Sequence, residues 1–286
     1  MRESMAAASR TDTTEAKNPY VEARQKTTAM QVKSSPLLPV LNALGFALVL
    51  VMNYLANALP LGGRMTGAVS DLYPTLFTPS GFTFAIWGVI YLLLAGFVVY
   101  QLRYTGKAVQ PDFLLKIGWL FLLSCLANAL WLVAWHHLQL VLAMVIMLVI
   151  LASLLSLYLR LDTGRAMVPA AERWLVHVPF SVYLGWITVA TIANTSILLV
   201  GLGWTGEPPG AQFWTVVAIA AAVGVSLWAL WSRRDIAFAL VIVWALWGIF
   251  QKRIADLGTA DGAVETAAVA GMVVTGAGIL YRIFRR

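Results

Sequence analysis

Charge is scarce in this chain. Only 12% of its 286 residues are Asp, Glu, Lys or Arg, while 60% are hydrophobic. A soluble domain carries about 25% charged residues, so a water-soluble globule is excluded. Cysteine occurs once, at Cys125, which excludes an intrachain disulfide framework. Histidine occurs three times. His136 and His137 stand at a junction between apolar runs and His177 stands alone, so no metal-ligand spacing arises. The apolar runs contain no paired carboxylates. Asp235, Asp256, Asp261 and Glu265 all fall at their ends or between them. That removes general acid–base catalysis from the reading, and with it the mid-membrane acids that proton-coupled transporters use. Residues 1–35 lack an apolar core and mix Arg and Lys with Glu3, Asp12, Glu15 and Glu22. They fit neither a cleavable signal nor a transit peptide. Residues 1–38 are expected to form a disordered cytoplasmic tail.

What the chain does have is long apolar runs, with a mean hydropathy of +0.79. A bilayer-spanning helix needs about 20 such residues. Eight spans are read, at 39–59, 82–102, 113–137, 138–159, 174–203, 211–231, 235–250 and 262–281. The fold class is therefore an all-α polytopic membrane protein. A tight turn at His136–His137 is expected between the third and fourth spans. The fourth span, rich in Leu, Val and Ile, reads as the lipid-facing member.

The formal net charge of +7 is no sign of nucleic-acid binding, because the basic residues follow the loops. Of the 20 Lys and Arg, only Arg64, Lys252 and Arg253 fall on one side of the expected membrane. The rest fall on the other, with both termini. By the positive-inside rule that basic side is cytoplasmic. The bias predicts insertion in a cytoplasmic membrane, expected to be bacterial. The loop at 60–81 then lies outside. Rich in Pro, Gly and aromatics and almost free of charge, it is expected to pack on the protein.

The polar and aromatic residues within the spans locate a candidate site. In the third span Asn128, Trp131 and Trp135 share one helix face by their i, i+3, i+7 spacing. Asn128 lies nine residues from the outer end, roughly 13 Å deep at 1.5 Å per residue. Asn194 in the fifth span and Tyr91 in the second lie at similar depth, with Trp87 shallower and Asn53 and Asn57 in the outer third of the first. Intramembrane asparagines commonly hold helices together. Four of them at one level beside Trp and Tyr suggest a pocket. Of the twelve tryptophans, six (Trp119, Trp135, Trp174, Trp204, Trp214, Trp231) lie near span ends, as interfacial anchors do. The other six (Trp87, Trp131, Trp186, Trp228, Trp244, Trp247) lie deeper, where core packing and ligand contact are both open.

Three blocks carry a family resemblance. Thr78-Pro79-Ser80-Gly81-Phe82 leads into Trp87-x-x-x-Tyr91. Asn128-x-x-Trp131 follows in the third span, and Tyr183-x-x-Trp186-x-x-x-Ala190-x-x-x-Asn194 in the fifth. Together they resemble the TspO/MBR family, the tryptophan-rich sensory proteins that include the mitochondrial translocator protein. The resemblance covers residues 39–203 and implies a five-helix transmembrane core, followed by a three-helix extension over 204–286. It also implies a lidded pocket for porphyrins or haem-type tetrapyrroles, without covalent chemistry and with no cofactor required. Its wall would comprise Trp87, Tyr91, Asn128, Trp131, Tyr183, Trp186, Ala190 and Asn194. Trp135 joins it from the third-span face, and Phe82 from the position where the family carries Trp. The segment after the fifth helix, Thr195-Ser196-Ile197-Leu198-Leu199, lacks the family's Tyr and basic residue for cholesterol, so cholesterol binding is not carried over.

The function implied is a membrane receptor or carrier for a small apolar ligand. Two alternatives remain open: a small-solute transporter using all eight helices, or a scaffold for a membrane complex. The small-residue stripe Ala263, Ala267, Gly271, Thr275 marks close helix packing, which would either buttress the core or form a homodimer surface.

Overall fold

The computed structural model describes residues 37–59, 61–107, 110–255 and 262–285. The tail expected over 1–38 therefore lies outside the described residues apart from its last two. Among the described residues every regular element is helical. The elements are α1 (Leu38–Ala58), α2 (Thr66–Asp71), α3 (Ile86–Leu102), α4 (Asp112–Ile117), α5 (Leu120–His136), α6 (Leu140–Arg160), α7 (Ala170–Gly201), α8 (Ala211–Arg233), α9 (Ile236–Ala255) and α10 (Gly262–Phe284). A 3-10 turn, Gly81–Ala85, leads into α3. Among the described residues seven helices are long and apolar enough to cross a bilayer; α5, with 17 residues, is a shorter apolar one. This is an all-α polytopic membrane protein.

The third span differs from expectation. Residues 113–137 do not form one helix, because Gly118 takes φ 48°, ψ −135°. Only glycine adopts that conformation readily, and it separates α4 from α5. The turn after α5 is tight, as expected. Leu138 has φ 57°, and the Gln139 N–H donates to the Ala134 carbonyl at 2.9 Å.

Five helices close into a ring. α1 packs on α3 and α5, α5 on α6, α6 on α7, and α7 on α3. The α1–α5 crossing is close: a Cβ on Gly45 would stand 2.7 Å from Leu122 Cδ1. The lipid-facing reading of the fourth span needs correction. Its outer stripe is exposed, but Ala143, Met147, Ile150, Leu154 and Leu157 are buried between α5 and α7. Their i, i+4, i+7 repeat was hidden because the opposite face is equally apolar.

Helices α8, α9 and α10 pack on one another, and α9 packs along α7. At Gly185 an added Cβ would be 3.1 Å from Val241 Cβ, so glycine permits the close approach. Polar pins fix the end away from the loop. Asp235 accepts from the Phe238 N–H at 3.1 Å, capping α9, and from the Ser181 hydroxyl at 2.6 Å. Arg233 reaches Asp162 at 3.2 Å. Asn42 of α1 donates to Gln101 of α3 at 3.0 Å.

At the start of α7, residues Arg173–His177 form a π turn. Pro179 two residues later has no N–H for the Leu175 carbonyl, and the wider turn accommodates its ring.

Candidate functional site

The loop after α1 is folded onto the bundle, as its composition suggested. Gly62, at φ 64°, lies against the end of α5, where an added Cβ would be 2.6 Å from the His136 carbonyl. Trp135 donates its indole N–H to the Thr66 carbonyl at 3.1 Å. The Thr66 hydroxyl lies 3.4 Å from His136 Nε2. Further along, the Ser80 N–H donates to the Gly248 carbonyl at 3.0 Å, and Trp244 donates to the Thr83 carbonyl at 2.9 Å. Lys252 pairs with Asp71 at 2.8 Å. The lid is thus held by α5 on one side and by α9 on the other.

Two cavities lie beneath it. The inner one, about 40 Å³, is lined by Thr66, Ser70, Thr78, Pro79 and Phe84 from the lid side and by Trp87, Trp131, Trp135, Met147, Trp186, Val189, Ala190, Ala193, Asn194 and Ile197 from the helices. The outer one is a cleft of about 660 Å³ between α1, α2 and α3. Asn53, Tyr54, Asn57, Met65, Asp71, Tyr91 and Leu132 are among its lining residues. Trp87, Trp131, Thr66, Ser70, Pro79 and Phe84 line both and form the partition. Small-molecule sites usually measure about 300–1,000 Å³, a range met by the outer cleft but not by the inner cavity.

The rings are ordered by edge and face contacts. Trp87 stacks on Tyr91 with centroids 5.5 Å apart, and meets Tyr183 and Trp186 edge-on at 6.0 and 6.3 Å. Trp131 stacks on Trp135 at 5.4 Å. Phe84 meets Trp186 edge-on at 5.8 Å.

The amides are engaged with the protein. Asn128 donates to the Tyr183 hydroxyl at 3.1 Å, and Asn53 reaches the Asn128 carbonyl oxygen at 3.5 Å. Trp131 donates to the side-chain oxygen of Asn194 at 3.3 Å. The two motif residues of α5 therefore tie it twice to α7.

Of the ten residues singled out from sequence, Trp87 and Trp131 line both cavities and Tyr91 lines the outer cleft. Trp135, Trp186, Ala190 and Asn194 line the inner cavity. Asn128 and Tyr183 are buried behind this wall and brace it. Phe82 is not brought to either cavity. It turns outward against Trp244 and Trp247, with centroids 5.7 and 4.8 Å away. Trp135 is 3% exposed, so it is a pocket residue and not an interfacial anchor. Trp228, read as deep, is 49% exposed. Sequence reasoning passed over Thr66, Ser70, Phe84 and Met147; Met147 carries the buried face of α6, and the lid residues belong to no periodic pattern. A further open groove of about 810 Å³, between residues 71–76, the start of α8 and Lys252, contains none of the predicted residues.

A ring of apolar helices, a folded lid and an aromatic cavity under it define a membrane protein of the TspO type. The chain belongs to the TSPO-like protein family, whose model matches residues 39–281. That match runs through α8, α9 and most of α10. No curated protein and no solved structure shows a significant match.

Proposed function

We propose that this protein is a non-enzymatic membrane receptor or carrier that takes a planar apolar ligand, of the porphyrin or haem type, under the lid. The observation that carries this reading is the aromatic partition. Trp87 and Trp131 stand between a cleft of ligand size and a smaller inner cavity, and flat rings offer stacking surface to a flat ligand. The ligand's body takes the outer cleft, and rotation of the partition rings joins the two spaces. The protein needs no cofactor and acts by sensing or moving the ligand. It lies in a bacterial cytoplasmic membrane with both termini in the cytoplasm, so the lid faces outward. The α10 stripe serves the packing of the C-terminal helices, with a homodimer as the second use of that surface.

Titration of the detergent-solubilised protein with protoporphyrin IX, followed by tryptophan fluorescence, tests the reading. Saturable quenching at micromolar ligand is expected, weakened in Trp131→Phe, Trp186→Phe and Asn128→Ala. Linear quenching, equal in all variants, would mean partition into detergent and would defeat it.

A further inference from the structure

The end of the bundle away from the lid carries a cluster remote from both cavities. The last carbonyls of a helix have no partner within it and form its negative pole. At the end of α8 two arginines from other elements take them. Arg282 of α10 donates Nη2 to the Trp231 carbonyl at 2.7 Å, and Arg165 of the loop before α7 donates Nε to the Ser232 carbonyl at 2.7 Å. The next carbonyl, of Arg233, is packed against Gly164 so closely that no side chain would fit there. Trp231 stacks on Tyr281 with centroids 6.4 Å apart, and Arg282 lies 5.8 Å over the Trp231 ring. Arg285 donates to the Tyr281 hydroxyl at 2.9 Å and lies 5.0 Å over that ring. Three guanidiniums are thus fixed at one helix end by carbonyl, hydroxyl and ring contacts.

None of the three forms an ion pair with a carboxylate among the described residues. The nearby acids are committed elsewhere: Asp162 to Arg233, and Asp235 to Ser181 and the Phe238 N–H. Arg165 uses only its Nε on Ser232, so its two terminal nitrogens keep donors to offer. Arg282 Nε has no hydrogen-bond partner. Along the helix faces that carry Trp231 and Tyr281, the side chains of Val225, Trp228 and Val274 are exposed. Unneutralised guanidiniums, two rings at the helix ends and an apolar face beneath them match the parts of one molecule: the phosphodiester, the interfacial region and the acyl chain of a lipid. A soluble anion would use only the first of these. We propose that this end of α8 and α10 binds the headgroup of an anionic phospholipid, with its phosphate held by Arg165, Arg282 and Arg285.

The site lies at the opposite end from the lid, so its test is independent of the ligand proposed there. The whole protein in mild detergent is titrated with phosphatidylglycerol or phosphatidylcholine, and bound lipid is counted by native mass spectrometry. A saturable phosphatidylglycerol site is expected, about ten-fold tighter than any for phosphatidylcholine. Arg165→Gln and Arg282→Gln should each weaken it about five-fold, the size expected for one arginine at an anionic surface. Arg285→Gln should weaken it as well. The contacts of Arg285 lie within its own helix, so this variant keeps the test decisive where Arg282→Gln unsettles the packing of α10. Arg103→Gln is the control. Arg103 lies at the same end of the bundle, 5.9 Å over the Tyr100 ring, but outside the cluster, and its loss should leave the affinity unchanged. Equal binding of the two lipids would overturn the proposal. An equal loss in Arg103→Gln would overturn it too, as a diffuse effect of charge. Displacement of the lipid by millimolar inorganic phosphate would overturn the choice of a lipid in favour of a free anion.

Discussion

Asn128 has the most to lose by substitution among the motif residues. It is 1% exposed and bonded to both Tyr183 and Asn53. Asn128→Ala strands the Tyr183 hydroxyl, itself buried, at a cost of about 1–3 kcal/mol. Trp131→Phe removes one bond to Asn194 and is expected to cost less, about 0.5–1.5 kcal/mol. Denaturant unfolding in mild detergent checks both; an Asn128→Ala protein as stable as the parent would contradict the bracing role. Its effect on ligand affinity is then indirect, through the position of Trp131 and Tyr183. The sequence could place these residues on one face and at one depth, because helical spacing and rise are regular. It could not tell bracing from ligand contact, because that depends on which side chain across the ring reaches the amide first. Phe82 illustrates the same limit. Its place in the motif pointed to the pocket, but the 3-10 turn Gly81–Ala85 rotates it toward Trp244 and Trp247.

Among the elements, α9 is the one whose role no motif announced. Its Gly248 carbonyl, Trp244 indole and Lys252 ammonium all hold the lid, and Gly248 is packed so closely on Thr83 that no side chain fits between them. The eight apolar runs were legible from hydropathy, as was the turn between α5 and α6. The break at Gly118 was not, because one glycine barely lowers the hydropathy of a long window. The link between lid and α9 was invisible because Asp71 and Lys252 are 181 residues apart in the chain. Reversing the charge in Lys252→Glu should loosen the lid, and adding Asp71→Lys should tighten it again. The readout is the rate at which a water-soluble thiol reagent labels Ala193→Cys in a Cys125→Ser background. A several-fold rise in the single variant and its reversal in the double are expected. An unchanged rate in Lys252→Glu would show that the Asp71–Lys252 pair does not latch the lid.

Across the whole molecule, charged side chains gather at the two ends of the bundle. The lid end carries Lys252 beside Asp71. The opposite end gathers Arg165 on the Ser232 carbonyl, Arg233 on Asp162 and Arg282 on the Trp231 carbonyl. Thiol labelling of Arg64→Cys and Gln110→Cys, each in the Cys125→Ser background, should mark the first from outside intact cells and the second only after permeabilisation. The reverse pattern would invert the membrane orientation. The central claim, that a flat apolar ligand lies under the lid with its body in the cleft between α1, α2 and α3, is tested most directly by photocrosslinking. An uncharged porphyrin ester bearing a diazirine is irradiated with the protein in nanodiscs, and the labelled residues are mapped by mass spectrometry. Labels confined to residues 50–57, 65–91, 128–135 and 186–197, and lost on competition with unlabelled ester, are the predicted result. Labels spread over the lipid-facing stripes of α6 and α8, indifferent to competitor, would contradict it.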